Sequence, residues 1–116
     1  MEYLIKSWEV EGKKKDKPYE RIIKLLVGPE GGVVKTKSLM IGLSLVPRGS
    51  KTDRHSHTGV EELMYIMAGR GKCYVGDKEY EVVPETAIFV PGETEHQLIN
   101  TSDETLKIFF CMASTK

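Results

Sequence analysis

The chain has three histidines, and two of them stand one residue apart in the stretch RHSHTGVEE at 54–62. In an extended segment side chains two apart share a face, so His55 and His57 point the same way, their imidazoles close enough to hold one ion. A turn at Thr58-Gly59 leads to Glu61 and Glu62, one of which faces inward with that pair. His96 opens another extended segment just after PGETE. Three imidazoles and a carboxylate from separate strands form a nitrogen and oxygen site for one divalent transition metal per chain: Mn, Fe, Ni, Cu or Zn. Each residue alone has a plainer reading, since a lone histidine is usually a surface or hydrogen-bonded side chain and adjacent acids are usually solvated. The weight rests on the joint spacing.

The elements that must position these residues are strands. In GKCYVGDKEYEV at 71–82, Tyr80 and Val82 alternate with Glu79 and Glu81, and Gly76-Asp77 suits a tight primed hairpin turn. Further strands are expected at 19–27, 39–47, 62–69, 86–91, 96–100 and 105–112, all rich in β-branched or aromatic residues and bounded by Gly, Pro, Asn or Asp. No segment has a convincing helical period. About eight short strands in so small a chain predict an all-β sandwich or barrel. The charged run EGKKKDKP at 11–18 reads as a solvated turn, and the Gly-rich GPEGGVVKTK at 28–37 as a plain connection or a flap over a site.

Composition narrows the class. The 116 residues, 40% of them hydrophobic, suffice for one core and one domain. Seventeen basic residues balance seventeen acidic ones, which predicts no nucleic-acid partner and no anionic membrane surface. No apolar run approaches the roughly 20 residues of a membrane span. The opening MEYLIKSWEVEGKKK lacks a basic region before its apolar residues and a small-residue cleavage pattern, so the expected address is the cytoplasm. There Cys73 and Cys111 read as two half-buried thiols, with one disulfide between them as the alternative.

The spacing resembles that of the cupin superfamily. Its first motif is matched by Gly49, five residues, His55-Ser56-His57, four residues, Glu62, six residues and Gly69. In the second, Pro91, His96 and Asn100 fall at their places, but Glu85 and Glu93 stand where glycines are usual and Gly92 comes one position early. These departures touch turn glycines, so they bear on loop geometry more than on ligands. The resemblance covers residues 38–112 and implies a double-stranded β-helix, or jelly-roll barrel, as a single domain over 1–116. Residues 1–18 then supply an N-terminal strand and the charged turn. It also implies His55, His57, Glu62 and His96 as metal ligands, with Glu61 as the outward neighbour, solvated or paired with a base such as Arg54.

Strand parity places Met64 and Ile66 on the face of Glu62, and Leu98 and Asn100 on that of His96. Because Lys107 marks the outside of its strand, Ile108, Phe110 and Met112 turn inward. These side chains either line a mostly apolar cavity or simply fill the barrel. Glu30 is the one candidate for a catalytic carboxylate, from the Gly-rich loop. Arg21, Arg48 and Arg54 are candidates to meet an anionic substrate, while Tyr65 and Tyr74 read equally well as packing residues. Phe109, Cys111, Leu63, Tyr65 and Met67 make the opposite face apolar too, which, with the resemblance, implies a homodimer. The expected activity is a metal-dependent enzyme on a small carboxylated or enolisable molecule, of dioxygenase, decarboxylase or isomerase type. The alternative is a non-catalytic protein that uses its metal to bind a sugar or carboxylate.

Overall fold

The structure, a computed structural model, describes residues 3–116. A 3₁₀ turn at Ser7–Glu9 precedes ten strands: β1 Lys13–Lys15, β2 Arg21–Gly28, β3 Val34–Lys35, β4 Met40–Val46, β5 Val60–Ala68, β6 Gly71–Val75, β7 Lys78–Val82, β8 Ala87–Val90, β9 His96–Asn100 and β10 Leu106–Ser114. Six strands form the path β1-β2-β4-β10-β5-β8 of one sheet, with β3 added parallel to β2, and β7-β6-β9 form a second, smaller sheet. Every other pairing is antiparallel. The fold is the all-β jelly-roll barrel expected.

Period-two patterning explains the architecture. Along β5 the exposed residues Glu61, Leu63, Tyr65 and Met67 alternate with the buried Glu62, Met64 and Ile66. β10 likewise buries Leu106, Ile108 and Phe110, and β8 buries Ile88 and Val90. These meet Cys73, Val82 and Leu98 of the small sheet in one core. Each fully buried Ile or Leu contributes roughly 1.5–3 kcal/mol. A one-residue slip in any of these strands would put its whole apolar set in water.

Three local findings refine the expectations. The lysine run expected as a turn carries β1, whose three lysines are all exposed as it pairs with Arg21, Ile22 and Ile23 of β2. A charged edge of this kind resists pairing with other chains. The Gly-rich segment is pinned by β3 and by hydrogen bonds from Val33 N–H to Leu26 and from Thr36 N–H to Gly28. Both cysteines are free thiols, with Cys73 buried inside the small sheet.

The two glutamates at glycine positions keep glycine-like backbones. Glu85 has φ 71° and Glu93 φ 60°, both in the left-handed region. Gly69, by contrast, holds its expected glycine for two reasons: its φ is 84°, and a Cβ there would lie 2.8 Å from the Leu106 backbone.

Candidate metal centre

The segment between β4 and β5 is extended without belonging to a named strand, and it is zipped onto β9. Thr52 N–H donates to Leu98 C=O at 2.8 Å, His55 N–H to His96 C=O at 3.1 Å, and His96 N–H returns to His55 C=O at 2.8 Å. His55 and His96 are therefore directly opposed, with side chains on one face. Arg54 and Ser56 are exposed while Asp53, His55 and His57 turn inward. Beyond His57 the chain is clamped by Glu93, whose N–H donates to His57 C=O at 2.8 Å and whose Oε1 accepts from Gly59 N–H at 2.9 Å. Glu62 arrives from the large sheet on the buried face of β5, and Glu61 is left in solvent.

The three imidazoles lie with ring centroids 4.4 to 5.3 Å apart. One nitrogen from each falls within 4.8 Å of the others, so the trio can coordinate a metal ion. Its tautomers are set by the backbone. His55 Nδ1 donates to Asp53 C=O at 2.8 Å and His96 Nδ1 to Thr94 C=O at 3.1 Å, and since a carbonyl only accepts, Nε2 of each ring carries the free lone pair. Glu62 Oε1 lies 3.1 Å from His96 Nε2 and 3.5 Å from His57 Nε2. Yet Oε1 of Glu62 and Nε2 of His57 are buried without a well-directed hydrogen bond. Buried polar atoms normally have partners, and a carboxylate oxygen and an imidazole lone pair converging on one point fit a cation.

Burial lowers the pKa of His57, outweighing the attraction of Glu62, so this ring is neutral and ligand-ready at neutral pH. For His96 burial also pushes downward, but its contact with Glu62 and the Thr94 carbonyl outweigh it and hold the ring above its ordinary value.

The site lines a cavity of about 290 Å³ together with Met64, Leu98, Ile108, Phe110 and Met112. Ile66 and Asn100, expected in this lining, are elsewhere. Ile66 is fully buried in the core, and the Asn100 amide is used up in hydrogen bonds to Val46 C=O and Glu104 C=O, bracing the β9–β10 turn. Glu30 does not reach the cavity either. It lines a neighbouring groove with Gly31, Gly32 and Val33, because β3 draws the loop to the edge of the sheet. Arg48 is exposed, and Arg54 bonds Gly76 C=O and faces Glu95 at 3.8 Å, leaving Glu61 solvated. Neither Tyr65 nor Tyr74 lines the cavity.

Of the three candidate arginines only Arg21 does. Its partner Asp53, at 2.7 Å, also lines the cavity and was missed by the sequence reading. A signal existed for both: Arg21 shares strand parity with Ile23 and Leu25, and Asp53 with His55 and His57. Burial raises the Asp53 pKa, but backbone hydrogen bonding and the Arg21 guanidinium together hold it below the usual carboxylate value.

Comparison with known proteins agrees with this geometry. The family described as a cupin domain matches residues 42–112. An uncharacterized protein of Methanocaldococcus jannaschii is 35% identical over 101 residues, covering 84% of this chain and 79% of its own length. A Thermotoga maritima structure described as a predicted oxalate decarboxylase superposes with a TM-score of 0.85 at 20% identity, covering 96% of this chain and 98% of that one. KdgF from Halomonas sp. superposes at 0.77 with 17% identity over 100% of this chain and 96% of that one. At these identities the two structures speak for the fold alone. No helix is long and apolar enough to cross a membrane among the described residues.

Proposed function

Because this chain belongs to the cupin family, we propose that it is a metal-dependent enzyme, with His55, His57, His96 and Glu62 as the ligands of one divalent transition metal. The observation that carries this reading is the convergence of Glu62 Oε1 and His57 Nε2, both buried and neither in a well-directed hydrogen bond, with the two oriented imidazoles of the cavity lining. The substrate is a small carboxylated or enolisable organic molecule and the reaction is of decarboxylase or isomerase type, in keeping with the description of the Thermotoga protein. A bound divalent ion would supply Lewis acidity for charge developing on a substrate oxygen, and a redox-active one would open the dioxygenase alternative.

The chain's own residues supply the rest. The carbonyls of Asp53 and Thr94 hold two rings in their metal-binding tautomer. Met64, Leu98, Ile108, Phe110 and Met112 keep the walls apolar, which strengthens every charge interaction within. The protein acts as a homodimer through the exposed apolar face of β5 and β8, which carries Leu63, Tyr65, Met67 and Phe89.

The test is elemental analysis of protein purified without chelator, beside His96→Ala. We expect near-stoichiometric metal in the first and at least a tenfold loss in the second, followed by carbon dioxide release or isomerisation across small carboxylic acids. Metal without turnover on any such compound would move the protein to the binding alternative. Equal metal content in the two proteins would refute the site.

A further inference from the structure

Among the described residues one Lys or Arg is buried, Arg21 at 8% exposure, and it lines the same cavity as the three histidines. The parity of β2 turns it inward with Ile23. Its Nη2 is ion-paired with Asp53 Oδ1 at 2.7 Å without a well-directed hydrogen bond, whereas its Nη1 is buried with no hydrogen-bond partner. A guanidinium presents its donors in a rigid planar fork, so fixing one terminal nitrogen fixes the direction of the other. An apolar side chain would fill this wall without the cost of an unmatched buried charged donor.

Asp53 gives the arrangement its geometry. Its carboxylate grips Arg21 while its backbone carbonyl accepts from His55 Nδ1 at 2.8 Å. One residue therefore sets the position of the fork relative to the metal-binding nitrogen. The charges point the same way. The cavity is lined by two cations, Lys15 and Arg21, and two carboxylates, Asp53 and Glu62, which cancel. A divalent ion held by neutral imidazoles leaves a surplus of positive charge for the ligand to match.

We propose that Arg21 is the carboxylate anchor of the substrate. Its free Nη1 donates to a carboxylate oxygen of a molecule that brings a second oxygen donor to the histidine site. Resting on the metal-enzyme reading above, this narrows the substrate class to small bifunctional organic anions, keto acids or dicarboxylates, over neutral enolisable compounds and sugars. The cavity, about 290 Å³, lies at the small end of ligand sites.

The experiment uses the zinc-loaded, diamagnetic protein and four probes: acetate, pyruvate, malonate and neutral malonamide. The Arg21 Nε–H resonance, assigned by its disappearance in Arg21→Lys, should shift on addition of pyruvate or malonate and stay in place with malonamide. Calorimetry should show malonate bound at least tenfold more weakly by Arg21→Met, with Arg21→Lys intermediate and zinc content unchanged in both. If Arg21→Met loses zinc or fold, the wild-type resonance decides. No shift with any saturating carboxylate, or wild-type affinity in a zinc-replete Arg21→Met, overturns the proposal. If the wild type takes up no zinc, the metal-centre reading fails, and the same titration on metal-free protein still decides the role of Arg21.

Discussion

Among the side chains facing the core, Glu62 and Cys73 show how one strand parity serves two ends. Glu62 shares the buried face of β5 with Met64 and Ile66, so its carboxylate is set among apolar side chains with imidazoles for company. Cys73, from the small sheet, is fully buried nearby, and burial first, then the negative charge of Glu62, push its thiol up to about 12. At pH 8 roughly one part in ten thousand of such a thiol is thiolate, and only the thiolate reacts. Cys111, on the outward parity of β10, is half-buried. Alkylation of the native protein at pH 8 should therefore leave Cys73 unmodified, with Cys73 labelled only on denaturation. Native labelling of Cys73 would show that the core opens far more often than its packing allows. The inward face of Glu62 was legible in the alternation of its strand, whereas Cys73, expected to be half-buried, is fully buried. The choice of Glu62 over Glu61 was not legible there, since either fits the face of a strand whose start is unknown, and motif spacing was needed to make it.

At the scale of elements, the turns before and after β8 pose a sharper question. Glu85 and Glu93 hold left-handed backbones without being glycine, a conformation that costs an ordinary residue on the order of 1–2 kcal/mol. Their compensation differs. Glu93 clamps the loop after His57 through its Oε1 on Gly59 N–H, whereas no side-chain hydrogen bond or ion pair is shown for Glu85, which is exposed. Glu85→Gly should thus stabilise the protein by about 1 kcal/mol in urea unfolding, after the added chain entropy of glycine is subtracted. Glu93→Gly should give no net gain, because relief of strain is offset by a lost charge-assisted hydrogen bond. Equal stabilisation by both would mean that the clamp contributes nothing. The sequence marked these positions as departures but left their outcome open, because whether a turn relaxes or keeps its backbone depends on the strands it joins.

Across the whole molecule, the large sheet leaves an apolar surface on its outer side. Leu63 pairs in register with Phe89 on one side and Cys111 on the other, and Tyr65 with Phe109. Leu63, Tyr65, Met67 and Phe89 are 37–55% exposed, a contiguous patch of the kind that marks an interface. With no net charge on the chain to oppose association, sedimentation at micromolar concentration should report a dimer. Tyr65→Lys with Phe89→Lys should yield a monomer that keeps its metal, and a monomeric wild type would refute the interface. What the sequence determined by itself is whatever is local. Side-chain alternation and turn residues mark the strands, and the separation of His55, His57 and His96 follows from positions along them. Only the tertiary structure decided which inward side chains see the cavity. Ile66 and Asn100 share parity with cavity residues yet lie in the core and in a turn brace, Glu30 is drawn to the sheet edge, and Arg21 is singled out from three arginines by Asp53. Strand parity chooses a face, but the approach of two sheets and pairings between residues distant in the chain determine what that face meets.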